Sequence, residues 1–456
     1  MPGPPAGKVD RVQAAGCLVS PHLAAPVDTP GGRPYNRSVT RNDGHQADLI
    51  YDWNQVGSIP KPPASIALDD ETLRDGLQGP SVTDPPIQMK MTILRAMNAL
   101  GIDTADVGLP GAGPKAVADS TALCRQIAEE RLSIRPNCAA RTMVRDIEPI
   151  ARIASSSGVP VETCLFIGSS AIRQYTEDWS IDLLLKRTQE SIEFAVKEGL
   201  PVMYVTEDTS RAHPETLRRL YRTAIECGAR RICVTDTVGH ATPHGAAEVI
   251  RFVAGIVRDS GEEVGIDWHG HRDRGLGLAN TLAALAAGAS RVHGCALGIG
   301  ERTGNAPMDL ILVNLRLLGW IDRDLTGLGD YCRLVTEGCR VPIPSNYPVL
   351  GRDAFETGTG VHAAAVIKAL RKNDLWLADR VYSGVPGSDF GFTQRIRVGP
   401  MSGRSNVVFW LEQQGIEPVD ELVDRIYDAA KRSDRLLEDR EILALVGPGL
   451  RSAPSG

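Results

Sequence analysis

Two histidines one residue apart, His269 and His271, close the apolar run Val264-Gly265-Ile266-Asp267-Trp268. On an extended strand, residues i and i+2 face the same way. Both imidazoles can therefore serve one metal ion from the same side. Two imidazoles and a carboxylate make a facial set that leaves coordination positions open for substrate. A carboxylate beside an arginine lies far upstream, in Ile66-Ala67-Leu68-Asp69-Asp70-Glu71-Thr72-Leu73-Arg74-Asp75-Gly76. Taken alone, the histidine pair also suits a polar strand end, and Arg74 with Asp75 also suits a plain ion pair at a rim.

Segments this far apart need a frame that gathers them. Short apolar runs at 66–68, 104–107, 134–140, 161–166, 202–206, 231–235, 264–268 and 291–295 alternate with stretches of helical periodicity. The helical stretches include 87–100, 182–198, 214–227, 243–259 and 276–287, with an eighth helix expected at 308–318. Eight strands alternating with helices predict an α/β fold, a parallel (β/α)8 TIM barrel. Chemistry in such a barrel sits at the C-terminal ends of the strands. Arg74 and Asp75 follow strand 1, Glu207 and Asp208 strand 5, Asp236 and Thr237 strand 6, and His269 and His271 end strand 7. After strand 8 comes Gly298-Ile299-Gly300-Glu301-Arg302-Thr303-Gly304-Asn305, whose spacing departs from the dinucleotide fingerprint. Its glycines are expected to let backbone approach a ligand closely.

The chain of 456 residues exceeds one average domain. Residues 1–63, rich in Pro, Gly and Ala, are expected to form a largely irregular arm with a short ordered piece near 49–53. Residues 64–320 are expected to form the barrel. Residues 321–456 are expected to form a smaller C-terminal α+β appendage, in which a helical linker carries His362 and a small α/β unit follows. Helical pattern covers 331–337 and 360–371, a strand-helix unit covers 394–398 and 405–413, and a last helix is expected over 419–436. The net charge of −6, with basic residues scattered, gives no nucleic-acid footprint. No apolar run approaches membrane-span length, and the N-terminus lacks the basic start and apolar core of a signal peptide. Nine cysteines without a Cys-x-x-Cys pair suit reduced thiols and a cytoplasmic location. Cys295, His240 and His293 are assigned to structure, and Met89, Met91 and Met97 to helix packing.

Four ordered motifs, Asp70-Glu71-Thr72-Leu73-Arg74-Asp75-Gly76-Leu77-Gln78, Asp236-Thr237-Val238-Gly239, His269-Gly270-His271 and the loop from Gly298 to Asn305, carry a specific likeness. Over residues 66–436 the chain resembles the 2-isopropylmalate synthase and homocitrate synthase family. That family lies within the metal-dependent barrel group that also includes 3-hydroxy-3-methylglutaryl-CoA lyase. The resemblance implies a divalent metal, Mg²⁺, Mn²⁺ or Zn²⁺, on Asp75, His269 and His271, with Asn305 at or beside it. It implies that Arg74 binds a 2-oxo acid and steadies its oxyanion, with Gln78 and Thr237 as further substrate contacts. Glu207 and Glu301 match active-site acids. His362 and Tyr382 match an appended-domain pair that crosses to the partner barrel in a domain-swapped homodimer.

The implied reaction condenses acetyl-CoA with a 2-oxo acid, 2-oxoisovalerate first, to give a 2-alkylmalate and CoA. His362 would be the base for the acetyl methyl group. The alternatives are condensation with another 2-oxo acid, as in homocitrate or citramalate synthases, a carbon–carbon lyase, and an inactive barrel that only binds. Lyases of the group carry a cysteine in the glycine-rich loop, and Gly298 to Asn305 contains none. Thr357, Gly358 and Thr359 stand where the family commonly has His, Lys and Ala, and Arg272 stands where synthases usually carry Asn. With the chain ending at Gly456, no leucine-sensing domain is expected.

Overall fold

The computed structural model describes residues 49–57 and 60–447. Eight parallel strands form a closed barrel: β1 (Ala67–Asp70), β2 (Thr104–Asp106), β3 (Arg135–Arg141), β4 (Glu162–Gly168), β5 (Val202–Glu207), β6 (Arg231–Asp236), β7 (Gly265–Gly270) and β8 (Arg291–Gly294). Closure pairs β8 with β1, with Gly294 opposite Asp70 and Arg291 opposite Ala67. The outer ring is α1 (Ile87–Ala99), α2 (Pro114–Glu130), α3 (Val144–Ser157), α4 (Ala171–Thr176), α5 (Ile181–Lys197), α6 (Pro214–Glu226), α7 (Pro243–Ser260), α8 (Gly277–Ala287) and α9 (Met308–Leu317).

Strand periodicity sorts the residues into two faces. Leu68, Ala105, Ala140, Leu165, Tyr204, Ile232, Val234, Trp268 and Val292 join the buried core beneath the helices. The alternating residues on the barrel axis are largely polar. Asp69 accepts a hydrogen bond from Asn137 Nδ2 at 2.6 Å, and Asp267 accepts from Arg291 Nε at 2.6 Å and Arg231 Nε at 2.7 Å. Arg291 also reaches Glu162 at 2.6 Å. Burial opposes charge on His293, but Asp69 and Glu71 outweigh it and raise His293 to about 10.

Beyond the barrel, α10 (Leu328–Cys339) packs on α1. The appendage follows with β9 (Glu356–Thr357), α11 (Gly360–Arg371), α12 (Leu375–Arg380), β10 (Arg395–Ile396), α13 (Arg404–Gln413), α14 (Asp420–Arg432) and α15 (Asp439–Val446). β9 and β10 pair in parallel. Val398, Val407, Trp410, Leu411 and Ile426 form a core of their own there, apart from the barrel core.

The barrel expected from the sequence is the barrel found. Strand β1 runs on to Asp70, because Asp69 and Asp70 carry their carboxylates into buried hydrogen bonds. The helix expected over 419–436 ends at Arg432. A serine turn, in which Arg435 N donates to Ser433 Oγ, breaks it, and Glu438 then caps α15. Helices α4 and α12 have six residues each, too few to show a period. Most of the expected arm lies outside the described residues. Within it, Trp53–Gln55 form one 3-10 turn, and Leu49, Ile50, Tyr51 and Trp53 are exposed.

Asp70 faces the helices and accepts from Thr72 N at 2.9 Å and from the Tyr331 hydroxyl. Burial pushes its carboxyl up to about 7. A carboxyl raised in the folded state contributes fully at pH below its unfolded pKa, and that contribution is lost as pH rises towards 7. Asp70→Asn stays neutral throughout. Its melting temperature relative to the natural chain should therefore climb between about pH 4.5 and 7.5. Parallel melting curves across that range would show that Asp70 is not raised.

Candidate active site

The C-terminal ends of the strands enclose a cavity of about 230 Å³. Arg74, Asp75, Gln78, Glu207, Thr237, His269, His271 and Glu301 all line it, so residues from five strand ends meet in one place. Its remaining wall is mostly apolar, from Leu109, Ala139, Cys164, Phe166, Met203, Val205 and Cys233.

Arg74 leaves β1 just before the 3-10 turn Asp75–Gln78. Its guanidinium meets three carboxylates: Nε to Asp106 at 2.6 Å, one terminal nitrogen to Asp75 at 2.7 Å and the other to Glu71 at 3.1 Å. A guanidinium has five N–H donors, so two remain for a ligand. Burial opposes the ionisation of Asp75 and Glu71, yet Arg74 and the neighbouring imidazoles hold both below the usual carboxylate range. At Asp106 burial prevails and raises the carboxyl to about 7.

His269 and His271 share one face of β7 and the residue after it, with ring centroids 5.2 Å apart. His271 is pushed down to about 4 by burial and by His269, which keeps it in the neutral form that ligates metals. Its Nε2 lies 3.6 Å from Asp75 Oδ2, too far for a hydrogen bond. Two ligands on one cation with bonds near 2.1 Å stand about 3 to 3.4 Å apart. Asn305 donates from Nδ2 to Asp75 Oδ2 at 2.6 Å and to Ile299 O at 3.1 Å. Asn305 Oδ1 and His271 Nδ1 are both buried without a hydrogen-bond partner. Orphaned acceptors beside a carboxylate, with oxygen and nitrogen donors and no thiolate, fit a divalent cation such as Mg²⁺, Mn²⁺ or Zn²⁺.

Among the described residues, two groups have the spacing for a cation, Asp75 with His269 and His271, and Glu71 with His269 and His293. His293 has both ring nitrogens engaged, Nδ1 with Glu71 and Nε2 with Asp267, each at 3.0 Å. It has no lone pair to give, so the first group is the one with free ligand atoms.

The glycine-rich loop packs closely on itself. Gly300, at φ +141°, and Gly304, at φ +95°, sit where a Cβ would run into Asn305 and the Gly298 carbonyl. These glycines let the loop fold against itself and against Asn305. Arg272 pins the same loop by donating to Thr303 O at 2.8 Å. Thr237 Oγ1 accepts from Asp208 N at 2.8 Å, and Asp236 caps the following loop through His240 N at 2.9 Å. Glu207 is raised by burial, whereas Glu301 is largely exposed beside Arg302. His362 and Tyr382 stack with ring centroids 4.1 Å apart, exposed on the appendage, and are not among the residues lining their own chain's cavity.

Glu71, Asp106 and His293 escaped the sequence reading as site residues. Glu71 extends the β1 ladder, its N–H bonded to Gly294 O at 2.9 Å, so the same i, i+2 rule that pairs the histidines puts it on the axis with Asp69. Asp106 ends β2 at the same rim. His293, read as structural, is both buried packing and cavity floor.

Comparison with known proteins now bears on this geometry. A homocitrate synthase of Methanopyrus kandleri is 34% identical over 81% of this chain and 88% of its own. A 2-isopropylmalate synthase of Sulfurisphaera tokodaii is 30% identical over 80% of this chain and 90% of its own. A solved HMG-CoA lyase of Bacillus subtilis shares the fold, with a TM-score of 0.52 at 21% identity over 62% of this chain and 97% of that one. The family model described as HMGL-like matches residues 65–334. On the barrel, the rim and these relatives, the chain belongs to the HMGL-like family.

Proposed function

We propose that this chain is an acyltransferase that condenses acetyl-CoA with a 2-oxo acid, 2-oxoisovalerate foremost, giving 2-isopropylmalate and CoA. The observation that carries the proposal is one cavity holding Arg74, Asp75, His269 and His271 against an apolar wall. Condensing synthases at 30–34% identity support the reaction class. The wall of Phe166, Met203 and Val205 suits a short aliphatic side chain better than a second carboxylate.

A divalent cation on Asp75, His269 and His271, with Asn305 beside it, would supply Lewis acidity to the keto oxygen. Arg74 offers its two free donors to the substrate carboxylate and to the alkoxide that forms. Thr237 and Gln78 complete the grip on the carboxylate. A base takes one methyl proton from acetyl-CoA, the methyl carbon bonds to the keto carbon, and the keto oxygen gains a proton. Water then cleaves the thioester C–S bond, leaving a carboxylate and the CoA thiol. Glu207, whose carboxyl is raised by burial, can hold a proton within the cavity. His362 and Tyr382, exposed and stacked on the appendage, would act in the other subunit's cavity of a swapped homodimer. Eight unpaired cysteines among the described residues suit the reducing cytoplasm.

His269→Ala should keep its fold by circular dichroism, because the rim is not the core. It should lose both divalent-cation binding and turnover. Full activity in that variant, or in the natural chain with excess chelator, would remove the cation from the reading.

Thiol release from acetyl-CoA, measured against a panel of 2-oxo acids, tests the reaction itself. The fastest turnover is expected with 2-oxoisovalerate. Preference for 2-oxoglutarate would make the chain a homocitrate-type synthase, and silence across the panel would overturn condensation.

Mixing His362→Ala with Arg74→Ala protein tests the shared site. If each cavity takes His362 from the other chain, a mixed dimer has one doubly defective site and one intact site. Random exchange then restores up to about a quarter of natural activity. No recovery despite verified exchange would place His362 outside the other subunit's cavity.

A further inference from the structure

Beneath the rim, charge runs unbroken along the barrel axis. Arg231 and Arg291 hold Asp267, Asp267 Oδ2 meets His293 Nε2 at 3.0 Å, and His293 Nδ1 meets Glu71 Oε1 at 3.0 Å. Arg74 binds that same Oε1 at 3.1 Å. The side chains of Glu71, His293 and Asp267 are 4%, 1% and 0% exposed. One oxygen of Glu71 is thus fixed by two cationic donors. The other, Oε2, is buried and faces His269 Nδ1 at 2.7 Å in an ion-pair contact, and it accepts no hydrogen bond from any other group.

We infer that Glu71 is a positioning residue for the metal ligand His269. It fixes the ring and its tautomer through Nδ1, so that Nε2 carries the lone pair. An ionised carboxylate has no hydrogen of its own to give, so a hydrogen shared across this 2.7 Å contact can come only from Nδ1. Partners of this kind, behind a metal-binding imidazole, set its orientation and basicity. Glu71 is not itself a ligand in this arrangement. The candidate group that would make it one needs a lone pair from His293, and both nitrogens of that ring are engaged. The inference rests on the proposed cation site and assigns the Glu71 column the task of aiming one of its ligands.

The substitution Glu71→Gln gives a directional test. Arg74 and His293 both donate, so they retain the amide oxygen, and the amide NH₂ then faces His269 Nδ1. An NH₂ donor there drives the imidazole hydrogen to Nε2, the nitrogen needed for the cation. Long-range ¹H–¹⁵N correlation on the metal-free protein reads the tautomer directly, and Mn²⁺ titration reads affinity. The natural chain should show His269 protonated on Nδ1. The variant should show it protonated on Nε2, with Mn²⁺ affinity about 10- to 100-fold weaker.

An Nε2–H tautomer in the natural chain overturns the inference, and that measurement does not depend on the variant folding. Natural tautomer and affinity in Glu71→Gln overturn it as well. Failure of acetyl-CoA condensation is a separate result, seen in thiol release by the natural chain, and leaves the tautomer and titration readouts intact.

Discussion

A guanidinium buried inside a β-barrel is the constraint around which the rest is arranged. Arg291 is 2% exposed on the barrel axis, where apolar branched side chains usually stack in layers. Burying such a charge costs several kcal/mol unless partners are already in place. Asp267 and Glu162 are those partners, and Asp267 is shared with Arg231 and His293. Removing one member would strand the others, a loss of about 3–5 kcal/mol for a broken buried pair. The column is therefore kept whole or not at all.

Its value lies in what it permits at the top. Around Arg74, three carboxylates crowd a single guanidinium, and Asp106 is already raised to about 7. His293, held cationic between Asp267 and Glu71, supplies positive charge from below. A divalent cation at Asp75, His269 and His271 would balance the same crowd from above. Glu71 is where the two meet, with one oxygen tied to the column and the other to His269. Asn305 is set from the opposite side by a loop that only glycines can close, anchored where Asp309 accepts from Leu297 N at 2.6 Å.

The barrel was legible because its signal is periodic: apolar outer faces repeat at strand spacing and helices fill the gaps at helical spacing. The rim was legible because polar residues clustered just after predicted strands. Arg74, Asp75, Thr237, His269 and His271 came out in that way and meet in one cavity. What stayed hidden was polar residues inside strands. Asp69 and Glu71 fell outside the expected strand at 66–68, and Asp106 lay inside the one at 104–107 without standing out as a site residue; only their partners across the barrel explain them. Sequence spacing cannot show that Asp267 faces Arg291 and His293, since those contacts depend on barrel closure. In the glycine-rich loop, too, sequence spacing could not show the close approach to Asn305, a few residues away.

The same geometry bears on where a base can come from. Within one chain, His269 is tied to Glu71, His271 is kept neutral beside Asp75, and His293 is locked between two carboxylates. None of these imidazoles is free to take a proton from a thioester methyl while also doing its other work. Glu71 and Asp75 are held by Arg74, and Glu301 is exposed and paired with Arg302, which leaves the half-buried Glu207 as the acid of the cavity without such a partner. Under the proposed reaction, a cavity furnished so fully for gripping and polarising, yet so poor in uncommitted bases, would be one half of a site. The exposed His362–Tyr382 pair, stacked on an appendage with its own core and lying outside its own cavity, has the composition of the other half. Under the proposed reaction, the column that holds the barrel together also takes His269 and His293 out of acid–base work, and this favours recruiting the base from a second copy of the chain.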